Sequence, residues 1–129
     1  MSQVVVVDSI RTGLAKAHRG TFNLTRGDDL VAHCIDALLE RNPTVDPGEV
    51  DDVIVGVGRQ TGEQSANLGR YAVALSTLPI TVPATTISRA CSSGLNSIAM
   101  AATQVASGCA EIALAGGVES ISEVVLHAT

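Results

Sequence analysis

Ile87-Ser88-Arg89-Ala90-Cys91-Ser92-Ser93-Gly94-Leu95 is the stretch on which both the fold and the chemistry of this chain turn. Thr85 to Ser88 predicts a short strand, and Ser92 to Ser107 predicts a helix that Gly108 ends. A strand that passes into a helix through one tight turn puts Cys91 at the turn. The thiol then emerges from the carboxyl end of the sheet, where open α/β sheets bind ligands. The helix N-terminus sets partial positive charge beside the sulfur, which favours a thiolate. Unpaired N–H groups of the first turn are available to a developing oxyanion. This is the logic of a nucleophile elbow, built around sulfur.

The bland reading of a cysteine is a small core residue, and only position in the fold argues otherwise. Cys34 falls on the apolar stripe of a predicted helix and is assigned to the core. Cys109 follows Gly108 in a turn and is assigned a structural role. An odd count with no C-x-x-C spacing argues against both a disulfide framework and a zinc site. Cys91 is the one catalytic candidate.

Outward from the elbow, Val4 to Val7 predicts a strand buried on both faces. Asp8 to Gly27 predicts a long loop. Asp28 to Arg41 predicts a helix, with Leu30, Cys34 and Leu38 at i, i+4 and i+8 beside Val31 and Ile35, and Pro43 beyond it. Asp28 and Asp29 sit in its first turn, where the helix dipole favours carboxylates. Val53 to Val55 predicts a second strand, Ser65 to Thr77 a helix, and Ile112 to Ala115 a fourth strand closed by Gly116-Gly117. The alternation implies an α/β fold with a mostly parallel or mixed sheet and helices on both faces. The helix after Cys91 is rich in Gly and Ala, with apolar residues on more than one side, and predicts burial between layers. Ser120 to Thr129 shows no clear period, so the chain is expected to stop inside an incomplete domain.

Composition sets outer limits. The 129 residues are 46% hydrophobic, but Phe22 and Tyr71 are the only aromatics, so Val, Ile, Leu and Ala must build the core. A formal net charge of -5 without a basic run argues against nucleic acid and anionic membranes as partners. No apolar run reaches the length of a membrane span, and the N-terminus lacks the form of a signal peptide, so a cytoplasmic location is expected.

Other candidates are weaker. Gly56-Val57-Gly58 with Gly62 does not fit the spacing of a dinucleotide loop. His18, His33 and His127 show no spacing that ties them to Cys91 and are assigned structural or solvated roles. Glu119, at the end of a strand, is assigned hydrogen bonds to local backbone.

With these residues in view, the chain resembles the thiolases. Arg11-Thr12 follows the first strand as in that family's opening motif. Gly62-Glu63 with Asn67 and Arg70 resembles its G-E…N-x-x-R segment. Arg89-x-Cys91-x-Ser93-Gly94-Leu95 resembles its nucleophile motif, and Gly116-Gly117-Val118-Glu119-Ser120-Ile121-Ser122 its G-G-x-E-S-M-S motif. Gly13, Ser88, Ser92 and Ile121 depart from the usual proline, asparagine, glycine and methionine. The Ala90-Cys91-Ser92-Ser93 run also resembles ketoacyl synthases, which share the fold.

The resemblance implies an acyltransferase acting on coenzyme A esters, with Cys91 as acyl carrier, its N–H in an oxyanion hole, and no metal or redox cofactor, because the thioester supplies the activated carbonyl. The reaction would be Claisen condensation of two acyl-CoAs or thiolytic cleavage of a 3-ketoacyl-CoA. It also implies that residues 1–129 are an N-terminal thiolase domain only. The family's G-H-P and C-x-G-G-G motifs, which carry an activating histidine and a second cysteine, do not occur in these residues. The chain alone is therefore expected to lack turnover, whether it stems from a truncated gene, proteolysis or a split enzyme. The family is oligomeric, so the expected partner is a further copy or a complementary C-terminal half. The reading from another class is a non-catalytic module for assembly or CoA-ester binding.

Overall fold

A computed structural model describes residues 3–122. Three strands form the sheet: β1 (Asp52–Gly56), β2 (Ala84–Ile87) and β3 (Ala113–Gly117). Their order is β2-β1-β3, and both pairings are parallel. Val53 stands opposite Ala84 on one side and Leu114 on the other. Parallel neighbours require crossovers, and helices supply them. These are α1 (Gly27–Arg41), α2 (Leu68–Leu75) and α3 (Ser93–Ser107).

The central strand shows why the sequence folds this way. Val53, Ile54, Val55 and Gly56 are all buried, as a strand covered on both faces requires. Val53 and Val55 join Ile35, Leu68, Ala72, Val73, Leu78 and Val82 in one core beneath α1 and α2. Ile54, also fully buried, points to the opposite face, where α3 lies against β1 and β3. Nearly all of this core is aliphatic. Each such side chain contributes roughly 1.5–3 kcal/mol on burial.

Polar hooks fix the frame. Asn67 caps α2, accepting from the Arg70 N–H at 3.2 Å, and its amide donates to the Ala84 carbonyl at 2.9 Å. The Arg70 guanidinium donates to the carbonyls of Val82 and Ile80. Asn67 and Arg70, motif residues by sequence, thus tie α2 to the segment leading into β2. Asp28 is buried and held by both arms of Arg26, at 3.0 and 2.8 Å, a stronger partner than a helix dipole. Arg26 also pairs with Glu63 at 3.3 Å.

Two expectations need correction. Val4 to Val7 is not a buried strand: it forms no ladder, and the four valines are 39% to 81% exposed. β-branched residues fit a pleated, half-buried surface but do not create one, and neither sheet edge pairs with this run. The chain is instead pinned just beyond it, where Asp8 accepts from Asn42 and Arg41, each at 2.8 Å. Those bonds, with the Ser9 N–H, hold its carboxyl below the usual range. The second correction concerns α3. Only Ser93, Ser97 and Ala101 are buried, all toward the sheet, while Leu95 is 73% exposed and Ile98 47%. Its apolar residues on more than one side predict two covering layers, and the described residues supply one.

Among the described residues, no helix is long and apolar enough to cross a membrane. The final residues of the Ser120–Thr129 stretch, with His127, lie outside the described part.

Candidate active site

β2 ends at Ile87 and α3 starts at Ser93. The turn between them is closed by backbone bonds from Ser92 N–H to Arg89 C=O and from Ser93 N–H to Ala90 C=O, at 3.1 and 3.2 Å. Ala90 adopts φ +48°, the left-handed region that costs an L-residue about 1–2 kcal/mol. Strain of this kind persists where the surroundings hold it, and it gathers at functional sites. Ser93 is the holder: its buried hydroxyl donates to the Ala90 carbonyl at 2.6 Å and accepts from the Arg89 N–H at 2.8 Å.

Cys91 follows the strained residue and is exposed. The residue therefore stands at the surface just before α3. The Ser92 side chain, at the helix cap, receives no hydrogen bond from the first turn; its hydroxyl donates backward to the Arg89 carbonyl at 2.8 Å. No side-chain cap therefore competes for the first-turn donors.

Three glycines let the helix start sit directly on the sheet. A Cβ at Gly56 would lie 2.3 Å from the carbonyl carbon of Ser93, and one at Gly117 would lie 2.9 Å from Gly94 Cα. Gly56, Gly94 and Gly117 belong to β1, α3 and β3, so two strands and the helix meet backbone to backbone. Ser97, fully buried one turn further on, donates to the Gly116 carbonyl at 2.7 Å and fixes the helix on β3.

The strand ends around the elbow are joined by a second network. Glu119 accepts from the N–H groups of Gly58 and Arg59, at 2.8 and 3.3 Å, and from the Gln64 side chain at 2.8 Å. Gln64, fully buried, accepts from Ser120 N–H at 2.7 Å and donates to the Arg59 carbonyl at 3.2 Å. Glu119 thus bonds backbone, as expected, but backbone some sixty residues away, not local. Gln64 was not singled out by sequence, because a polar residue in a polar loop carries no periodic signal of burial.

The remaining candidates separate cleanly. His18 and His33 are exposed, and His18 uses its backbone N–H on Ser122 Oγ at 2.8 Å. Cys109 is exposed at the end of α3, its N–H on the Gln104 carbonyl beside left-handed Gly108. Cys34 is half-buried, lining a cavity of about 540 Å³ between α1, the 10–17 segment and the sheet, and desolvation pushes its thiol up. Thiols are nucleophiles as thiolates, so that shift argues against Cys34. Gly56 and Gly58 serve close packing. No group of His, Cys, Asp and Glu suited to a metal ion occurs among the described residues.

Comparison with known proteins bears on the fold and the family. The chain is 48% identical over 122 residues to the β-ketoadipyl-CoA thiolase of Acinetobacter baylyi, covering 95% of this chain and 30% of that protein. It is 41% identical over 127 residues to the 3-ketoacyl-CoA thiolase of Aliivibrio salmonicida, covering 98% and 33%. The chain thus spans about a third of the length of these relatives. The crystal structure of the Bacillus anthracis acetyl-CoA acetyltransferase superposes with a TM-score of 0.74 at 36% identity, over 81% of this chain and 26% of that one. The model of the thiolase N-terminal domain matches residues 4–129, and the chain therefore belongs to the thiolase family.

Proposed function

We propose that this chain is the nucleophile-bearing part of an acyl-CoA acyltransferase and that Cys91 carries the acyl group. The supporting observation is an exposed thiol, set by a strained turn at the uncapped start of a helix seated on the sheet. The Cys91 thiolate attacks the thioester carbonyl of an acyl-CoA. Charge develops on the carbonyl oxygen, where the Cys91 N–H is the proposed donor. Collapse of the adduct breaks the carbon–sulfur bond to CoA, which leaves as its thiolate and takes a proton. The acyl group remains on Cys91. In condensation a second acyl-CoA, having given up an α-proton, then displaces Cys91 as its thiolate. In thiolysis Cys91 instead attacks the 3-keto carbonyl, the bond between C2 and C3 breaks, and the leaving acyl-CoA carbanion takes a proton. The thiol of CoA, giving up its proton, then takes the acyl group from Cys91. The thioester supplies the activated carbonyl, so the proposal invokes no metal or redox cofactor.

Both half-reactions move protons, and the G-H-P and C-x-G-G-G motifs that would carry the activating histidine and second cysteine do not occur in residues 1–129. The proposal is accordingly that this chain alone does not turn over. A thiolytic assay with acetoacetyl-CoA checks it: a normal rate that disappears in Cys91→Ser would overturn it. The nucleophile reading is checked separately with iodoacetamide on the folded protein, followed by peptide mass spectrometry. Cys91 should label faster than Cys34 and Cys109 near neutral pH; equal labelling of Cys91 and the exposed Cys109 would count against an activated thiol.

The reading as an assembly module draws support from the exposed apolar residues of α3, Leu95, Ile98 and Met100. Its occupant would be a further copy of the chain or a complementary C-terminal half. A monomeric mass in solution with intact Cys91 reactivity would disfavour self-association and leave the acyl-carrier reading standing.

A further inference from the structure

We propose that Glu119, acting through Gln64 and the 57–59 loop, is a positioning residue for Cys91; the inference rests on the reading of Cys91 as nucleophile. Its basis is where the carboxylate's bonds lead. Gly58, one of its donors, lies directly behind the elbow: a Cβ there would be 3.1 Å from the Ala90 carbonyl oxygen and 2.6 Å from the Glu119 carboxylate. The Gly58 carbonyl accepts from Ser88 Oγ at 3.1 Å, and Val57 N–H donates to the Ile87 carbonyl at 2.9 Å. One carboxylate therefore gathers the segments that follow β1 and β3 and presses the first against the two residues flanking Arg89. The strained φ of Ala90 is braced from behind by this loop and from below by Ser93.

The donor pattern makes the acid specific. Three N–H groups, from Gly58, Arg59 and the Gln64 amide, converge on two oxygens. A carboxylate presents only acceptors and satisfies all three. A glutamine at 119 presents one oxygen and one NH2. If its oxygen faces the loop, its NH2 meets the Gln64 NH2, donor against donor. Turning Gln64 over moves the conflict to Ser120 N–H and forfeits the bond to the Arg59 carbonyl. The mismatch can be moved but not removed, and Gln64 is fully buried, so water does not relieve it.

The test uses the whole chain with Glu119→Gln, and Glu63→Gln as a control that alters an exposed ion pair. Two readouts are taken: iodoacetamide labelling of Cys91 relative to Cys109 across pH, and hydrogen exchange at the amides of residues 58–59 and 89–93. In Glu119→Gln we expect the Cys91-to-Cys109 ratio to fall about tenfold and exchange at both segments to rise about tenfold, as loss of a buried polar match implies. The control should match wild type. Wild-type labelling and exchange in Glu119→Gln would overturn the proposal. If wild-type Cys91 labels no faster than Cys109, the nucleophile reading fails on its own, and exchange decides the positioning role: unchanged rates at 89–93 refute it. If Glu119→Gln does not fold, Glu119→Asp replaces it, keeping both acceptors on a shorter arm. An intermediate fall in labelling is then the supporting result, and wild-type labelling the refuting one.

Discussion

The closest approach in the site is between backbones, and Gly56→Ala tests it most severely. Gly56 does not have a positive φ, so alanine accepts its backbone and the cost is steric alone. The new methyl would meet Ser93 C at 2.3 Å, Ser93 O at 2.4 Å and Gly94 N at 2.6 Å. Non-bonded atoms of this kind rest at roughly 3.5 Å, so α3 must retreat by about an ångström. No side chain can swing aside, because all three neighbours are backbone. Overpacking of this severity costs about 1–3 kcal/mol or more, and alanine recovers only about 0.4–1 kcal/mol through the unfolded state. A net loss of about 2 kcal/mol is expected in urea unfolding. Cys91 labelling should slow relative to Cys109, since the helix start that retreats also carries the thiol. Gly116→Ala is the control, because a Cβ there meets nothing within 4 Å; its effect should stay within about 0.5 kcal/mol. Should Gly56→Ala unfold and label like Gly116→Ala, the backbone seat of α3 is not as described.

Ser93→Ala should destabilise by about 1–3 kcal/mol in the same unfolding assay, because it leaves the Arg89 N–H without its acceptor and removes the shorter of the two bonds on the Ala90 carbonyl. Cys91→Ser should leave stability within about 0.5 kcal/mol while abolishing the fastest labelling, as expected for an exposed thiol. Leu68→Ala, at a fully buried position at the start of α2, should cost about 2–5 kcal/mol by urea denaturation. Asp51 accepts from the N–H groups of Glu111 and Ile112, which holds its carboxyl below the ordinary 3.8. Its folded value lies under its unfolded one, so the stabilisation is present above pH 3.8 and is lost as pH falls through the lowered value. Unfolding midpoints of wild type and Asp51→Asn followed down to pH 2 should converge at the acid end.

Legibility varied with how local the cause was. Each helix carries its own periodicity, and Val53 to Val55 reports burial on both faces directly. The elbow was legible because β2, the turn and α3 are contiguous, so Cys91 could be placed without tertiary knowledge. Val4 to Val7 misled for the opposite reason. Four β-branched residues mark a taste for a sheet, but a ladder needs a neighbour, and nothing in the run says whether one is present. α3 misled similarly, since small residues announce a close approach without counting the layers. Gln64 was invisible, because the partners that satisfy its amide, Glu119 and Ser120, lie more than fifty residues away.

The residues that shape the elbow are mostly not the residues that would react. Gly56, Gly94 and Gly117 act by lacking side chains, Ser93 and Gln64 by pairing backbone and amide groups, and Glu119 by offering acceptors alone. Each removes a way for the turn to relax. A turn held at φ +48° by one hydroxyl would open readily. Braced on a second side by a loop that a carboxylate locks, it keeps that conformation only while both supports stand. The two supports share that one strained residue, so their losses should not add. Ser93→Ala with Glu119→Gln should destabilise by less than the two single changes combined, because the first to release Ala90 leaves the other little to hold. Additive losses in a double-mutant cycle would show instead that the hydroxyl and the carboxylate support separate parts of the fold.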